Sequence, residues 1–238
     1  MINSISIIYP IFNEEKRLAK TFNDIKRFDK SKNSIKKEYI LVNDGSTDKT
    51  LLLIEKKFKN KKNIKIISYS KNRGKGFALK KGIQKAKYEW VLTTDADCSV
   101  SNFQVCNWIK NNFINKKNFI YFGSRNLLNS NVKKKKYREL LGNIFKFFVS
   151  VIFQIKLFDT QCGFKLYKAT WAKKIFKKIL TDGYIHDLEV CIIANKLNLT
   201  IIELPVKWTH IDGSKINFFT DFFEIIHGLF KIKKNKYA

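Results

Sequence analysis

Asp95 and Asp97 stand two residues apart at the end of the run Glu89-Trp-Val-Leu-Thr-Thr-Asp-Ala-Asp-Cys-Ser99. Nothing basic flanks them in sequence, and two neighbouring carboxylates are costly unless a cation neutralises them. Hard oxygen donors suit Mg²⁺ or Mn²⁺, and Mg²⁺ usually takes one or two carboxylates together with substrate phosphates. The pair therefore points to a metal–diphosphate site. A cap on the helix that follows is the competing reading.

The elements around the pair follow from hydrophobic periodicity. Trp90–Thr94 reads as a short buried strand, so Asp95 and Asp97 lie at its carboxyl end, where open α/β sheets bind ligands. Earlier strands are expected over Ser4–Tyr9, Glu38–Asn43 and Asn63–Tyr69. Asn13-Glu14-Glu15 is expected to open a helix to about Phe28, its acids in the first turn. Asp44-Gly45-Ser46-Thr47-Asp48 makes a tight turn whose side chains cap a helix to about Phe58. Lys71-Asn72-Arg73-Gly74-Lys75-Gly76 leads into a helix to about Ala86. Strands alternating with helices in this way imply right-handed βαβ units and a mainly parallel sheet.

The second half is less regular. A helix is expected over about Asn102–Asn115, a strand over Phe119–Gly123, and a polar loop containing Lys133–Lys136. The apolar stretch Leu140–Phe158 carries Lys146 and Lys156, which favours an interfacial helix over a spanning one. Further helices are expected over Thr170–Ile179 and from Gly183 through Asp187 and Glu189. A late strand covers Thr200–Leu204, and 216–232 reads as an aromatic-rich amphipathic helix.

Composition bounds the function. The 238 residues, 45% of them hydrophobic with 2 prolines and 10 glycines, suit one large α/β domain with a single core. The net charge of +27, from 47 Lys+Arg against 20 Asp+Glu, suits a polyanionic partner, although abundant Lys, Asn and Ile also suggest a compositional bias. The 4 cysteines include no Cys-x-x-Cys pair, so reduced thiols of a cytoplasmic protein are expected. Met1–Pro10 lacks the basic start of a signal peptide. The first turn has neither Gly-x-Gly-x-x-Gly nor a Walker lysine, which disfavours a dinucleotide oxidoreductase and a P-loop NTPase. Acids at the first two strand ends suit a base and ribose instead, and leave the diphosphate to the metal, a division that fits a sugar nucleotide.

These residues carry a resemblance. Tyr9-Pro-Ile-Phe-Asn-Glu-Glu15, Val42-Asn-Asp-Gly-Ser46, Lys71-Asn-Arg-Gly-Lys-Gly76, Asp95-Ala-Asp97 and Gly123-Ser-Arg125 resemble family 2 glycosyltransferases of the GT-A fold. Asp159-Thr-Gln-Cys-Gly-Phe-Lys-Leu166 and Val206-Lys-Trp-Thr…Gly-Ser-Lys215, with Asp187-Leu-Glu189, resemble the dolichyl-phosphate and polyprenyl-phosphate β-glucosyltransferases. The related dolichol-phosphate mannose synthases share the pattern. The resemblance implies a single GT-A domain over 1–238: a nucleotide-binding half to 124, an acceptor half to 215 and an amphipathic basic tail.

It also implies roles. Pro10, Phe12, Glu14 and Asp44 would hold uracil and ribose, with Arg73 and Lys75 beside the nucleotide. Asp95 and Asp97 would bind Mg²⁺ or Mn²⁺ and the diphosphate, Asp97 more directly. Arg125, Gln161, Lys165 and Lys215 would hold phosphate, chiefly that of the acceptor. Asp187 and Glu189 would approach the sugar as catalytic residues with Asp97 and Arg125. The family usually has Asp-Asp-Gly-Ser after the second strand, and here Asn43 replaces the first Asp. The implied reaction is inverting transfer of a hexose, glucose from UDP-glucose before mannose from GDP-mannose, to a polyprenyl or dolichyl phosphate; a saccharide acceptor is the alternative. Lys133–Lys136 and the phenylalanines at 145, 147, 148, 153, 218, 219, 222 and 223 would meet an anionic membrane at its cytoplasmic face. Nucleic acid is disfavoured, because the acids cluster at the strand ends where it would be repelled.

Overall fold

The computed structural model describes residues 2–114, 119–127, 159–183, 185–211 and 227–235. Seven strands form one sheet in the order β3-β2-β1-β4-β6-β5-β7. They are β1 (Ser4–Ile11), β2 (Lys36–Asp44), β3 (Ile64–Tyr69), β4 (Trp90–Thr93), β5 (Phe119–Ser124), β6 (Lys165–Lys168) and β7 (Thr200–Pro205). All neighbours are parallel except β6, which is antiparallel to both β4 and β5. The helices are α1 (Leu18–Asp29), α2 (Thr50–Phe58), α3 (Lys75–Gln84), α4 (Phe103–Lys110), α5 (Ala169–Lys178) and α6 (His186–Lys196), and residues 227–234 are also helical.

Strand alternation divides the core in two. Ile5, Ile7, Tyr9, Tyr39, Leu41 and Leu92 face one side and pack with α1, α2 and α4 through Ile25, Phe28, Ile54 and Trp108. Ile8, Ile40, Val42, Val91 and Phe122 face the other and pack with α3, α5 and α6 through Leu79, Ile83, Phe176 and Leu188. The sheet is thus covered by helices on both faces. The direction of strand order reverses between β1 and β4, so a crevice opens at their carboxyl ends. Pro10–Glu14 and Asp95–Asp97 lie there.

Two expectations are corrected, one strand is added and one choice of cap is narrowed. Residues 165–168 form a strand, although Lys-Leu-Tyr-Lys carries no strand pattern; they are recruited by pairing with β4. Helix α1 starts at Leu18, with no acid in its first turn. Asn13 takes a left-handed conformation (φ 49°), and its side chain bonds the β2–α2 turn instead. Helix α4 is shorter than its apolar pattern and ends at Lys110. Among the possible caps of α2, Asp48 does the work by accepting from Thr50 N–H at 2.9 Å, while Ser46 and Thr47 turn to Asn13.

The four cysteines are unpaired, three of them buried. Burial pushes the Cys162 and Cys191 thiols up to about 12, so they behave as inert apolar groups. No helix of the described residues is long and apolar enough to cross a membrane. The stretch Leu140–Phe158, Lys133–Lys136, Lys215 and the aromatic positions of 216–226 lie outside the described residues.

Candidate active site

The crevice is assembled by stitching loops together. Asn13 N–H donates to Ser46 Oγ at 2.9 Å, Glu14 N–H to Thr50 Oγ1 at 2.8 Å and Thr47 N–H to Asn13 Oδ1 at 2.8 Å. The loops after β1 and β2 are therefore tied together, with Pro10 and Phe12 half-buried at their edge. Glu14 forms a two-pronged pair with Arg17, at 2.5 and 2.6 Å. Arg17 also lies 3.9 Å from Asp97. It had no role in the sequence reading, and its spacing of three from Glu14 was the available signal.

Asp44 anchors the next loop. Its buried carboxylate accepts from Arg73 N–H at 2.9 Å, Gly74 N–H at 2.8 Å and Asn72 Nδ2 at 3.1 Å. Gly45 (φ 65°) allows the close approach, because a Cβ there would meet Asn72 N at 2.4 Å. The start of α3 is held in turn by Gly76 N–H donating to the Asp182 carbonyl at 2.7 Å. Arg73 reaches the rim, where it pairs with Asp182 at 3.2 Å and lies 4.2 Å from the Phe77 ring centroid.

The Asp95–Asp97 turn is pinned from below. The Ala96 carbonyl accepts from Thr21 Oγ1, Cys98 takes φ 51°, and Asp97 Oδ1 accepts from Ser99 N–H at 2.9 Å. Asp24 on α1 holds Ser101 and Asn102, and Thr209 N–H donates to the Ser99 carbonyl at 2.9 Å. Both acids keep partly exposed side chains, 37% for Asp95 and 23% for Asp97. Asp97 makes its local turn bond with Ser99 but does not cap α4, whose N-cap is Asn102 with no side-chain cap bond, and its other oxygen lies toward Arg17. Lys75, the first residue of α3, pairs with Asp95 at 2.7 Å.

β6 brings the Asp159–Phe164 run to the same place. Thr93 pairs with Lys165 in register, and Thr93 Oγ1 donates to the Gly163 carbonyl at 3.0 Å. A Cβ on Gly163 would lie 2.4 and 2.5 Å from the two Asp95 carboxylate oxygens. Gly163→Ala is therefore expected to displace Asp95 and to cut transfer far more than it lowers Tm, as paired activity and thermal-melt measurements would read. Asp159, nearly fully buried, clamps Arg125 through two parallel bonds of 2.7 and 2.8 Å, and Arg125 N–H adds a third at 2.9 Å. Asp159 also accepts from Gln161 N–H at 3.2 Å. Burial disfavours the Arg125 charge, but the Asp159 bonds outweigh it and raise its pKa further.

Three expected roles change. Lys165 is 1% exposed, with its ammonium on Asp187 and the Thr160 carbonyl (2.8 Å) and the Phe122 ring 4.4 Å away. It is a buried counter-charge with no face toward an acceptor phosphate. Glu189 is fully buried, and its oxygens accept from Leu180 N–H at 2.7 Å, Thr181 N–H at 2.9 Å and the Thr181 hydroxyl at 2.5 Å. It holds the 180–181 backbone and does not approach a sugar. Asp187 is buried as well, between Lys165 and His186 Nε2 (3.2 Å), and is near enough to Lys75 to feel its charge.

Burial opposes ionisation of Asp187, yet His186 and Lys165 hold its carboxyl well below the usual range. Its contribution to stability is full above the ordinary carboxylate pKa and is lost as the pH falls below it. Urea midpoints between pH 6 and 3 are expected to fall less steeply in Asp187→Asn than in the parent.

Among the described residues no three His, Cys, Asp or Glu side chains form a metal cluster. Asp95 and Asp97 supply two hard oxygen donors, which fits Mg²⁺ or Mn²⁺ only if a substrate supplies further ligands.

The profile of glycosyl transferase family 2 matches residues 6–176. The dolichyl-phosphate beta-glucosyltransferase of Dictyostelium discoideum is 34% identical over 96% of this chain and 73% of its own length. Its Saccharomyces cerevisiae counterpart is 31% identical over 89% and 69%. The crystal structure of Mycobacterium tuberculosis glucosyl-3-phosphoglycerate synthase with Mn²⁺ and UDP-glucose superposes with a TM-score of 0.68 at 15% identity, over 97% of this chain and 79% of that one. That likeness shows the fold. The chain is a glycosyltransferase: it belongs to glycosyl transferase family 2, beside the relatives named dolichyl-phosphate beta-glucosyltransferase.

Proposed function

We propose that this enzyme transfers glucose from UDP-glucose to a dolichyl or polyprenyl phosphate with inversion at the anomeric carbon. The observation that carries the reading is the seating of Gly163, within the Asp159–Leu166 run, directly on Asp95. It places the segment that resembles the lipid-phosphate branch against the carboxylates assigned to the diphosphate.

Asp95 and Asp97 would hold Mg²⁺ or Mn²⁺, which when bound offsets the negative charge developing on the departing diphosphate. Pro10, Phe12 and Glu14 line the nucleoside side, with Asp44 holding the loop that carries Arg73 and Lys75. An acceptor phosphate is already anionic near neutral pH and needs no strong general base. Arg125, fixed by Asp159 and 6.0 Å from the Trp208 ring centroid, would orient that phosphate, with Gln161 held on the same Asp159; Lys215, outside the described residues, would add a further cation. Asp187 is held inside the protein by Lys165 and His186. The bond formed joins acceptor oxygen to the anomeric carbon, and the bond broken releases UDP.

The acceptor lies in a bilayer, so peripheral association with the cytoplasmic face is part of the reading. Lys133–Lys136 would add about 1 kcal/mol each at an anionic surface. A screen of UDP- and GDP-sugars against polyprenyl phosphate tests the proposal. Transfer from UDP-glucose is expected; transfer from GDP-mannose alone would replace the sugar, and transfer only to a saccharide would overturn the acceptor.

A further inference from the structure

The two carboxylates assigned to the divalent cation already face cations of the chain's own. Lys75 Nζ lies 2.7 Å from Asp95 Oδ1, and Arg17 Nη1 lies 3.9 Å from Asp97 Oδ2. Neither cation sits on an open surface, the Lys75 side chain being 18% exposed and that of Arg17 17%. Lys75 offsets Asp95 directly, whereas Arg17, held chiefly by Glu14, offsets Asp97 in part. A divalent cation entering alone therefore meets an ammonium directly against Asp95, which weakens its binding. A diphosphate at the same crevice offers both bases a second anion, and lysine and arginine are the side chains that grip phosphate best. Arg17 also holds Glu14, so turning from Asp97 does not strand its charge. The backbone of Lys75 stays fixed meanwhile, because Gly76 and Phe77 N–H groups are both held by the Asp182 carbonyl at 2.7 and 3.2 Å.

The geometry points to a cation exchange: in the free protein Lys75 pairs with Asp95 and Arg17 lies beside Asp97, and both turn to the diphosphate when the donor binds, opening Asp95 and Asp97 to the metal. Lys75 thus acts as a positioning residue that opposes metal arriving alone and supports metal arriving with nucleotide. The inference rests on the reading of Asp95 and Asp97 as the metal carboxylates of a UDP-sugar site. It differs from simple ligation of the metal by the diphosphate, which leaves Lys75 without influence on the metal alone.

Mn²⁺ binding to the full chain, followed by electron paramagnetic resonance with and without UDP, tests it. In the parent protein Mn²⁺ alone is expected to bind weakly, and UDP to strengthen it by about 5- to 150-fold. Lys75→Met is expected to bind Mn²⁺ alone several-fold more tightly than the parent, yet UDP in EDTA more weakly. Lys81→Met, which removes an exposed lysine of the same helix, is expected to do neither. Lys75→Gln gives the same comparison should Lys75→Met fail to fold. Metal-alone affinity no tighter in the Lys75 variant than in Lys81→Met overturns the exchange while leaving the nucleotide-sugar site standing. Failure of the parent to bind either UDP or Mn²⁺ overturns the site reading itself.

Discussion

Asp97→Ala is expected to lower kcat/KM by about 10³-fold or more while the protein stays folded. Asp97 is one of the two carboxylates assigned to the metal, and loss of charge stabilisation at a leaving group typically costs at least about 10²–10³ in rate. The structural cost is small by comparison. Asp97 is partly exposed and makes one local bond, from Ser99 N–H at 2.9 Å. Such a bond contributes about 1 kcal/mol, equivalent to a Tm shift of about 2–4 °C at this size. Arg17 loses a partner 3.9 Å away but keeps its two-pronged pair with Glu14. The informative measurement is therefore the separation of rate from Tm, with Asp97→Asn as a companion that preserves an acceptor for Ser99. Near-parental turnover in both variants would remove Asp97 from the metal site.

Lys165→Met is expected to produce the largest loss of stability of any substitution in the crevice. Lys165 and Asp187 form an ion pair with side chains 1% and 5% exposed. Removing one partner leaves the other buried without full compensation, at a cost of about 3–5 kcal/mol, or on the order of 10 °C in Tm. His186 at 3.2 Å from Asp187 Oδ1 offsets part of this. The double variant Lys165→Met/Asp187→Leu is expected to recover much of the loss, because replacing both charges leaves neither one orphaned. Thermal melts of the parent, both single variants and the double variant complete the cycle. A small Tm change in Lys165→Met combined with a large rise in KM for the lipid phosphate would restore the phosphate-binding role suggested by the sequence.

Lys165 illustrates where reading by residue type stops. A lysine in a run that resembles a phosphate-handling segment invites assignment to the phosphate. Its direction is decided by β6, a strand of four residues with no pattern of its own, whose alternation turns the Lys165 side chain toward Phe122 and Asp187. Glu189 is a second case. Two acids in the first turn of α6 look alike in sequence, yet two positions apart on a helix they point to nearly opposite sides: Asp187 meets Lys165, and Glu189 meets the backbone of Leu180 and Thr181. Arg17 and Asp159 were missed in the opposite sense, because their importance lies in which site side chain each one holds.

The sequence by itself determined the alternation of strands and helices, the mainly parallel sheet, and the collection of Glu14, Asp44, Arg73, Asp95 and Asp97 at strand ends. These follow from local periodicity and turn chemistry, which act over a few residues at a time. The motifs were legible too, and with them the family. Only the tertiary structure decided the antiparallel insertion of β6, the contact of Gly163 with Asp95, and the pairing of each metal-type carboxylate with Lys75 or Arg17. Those contacts join residues far apart in the chain, and their partners are fixed by strand register and packing, which no short window of sequence encodes.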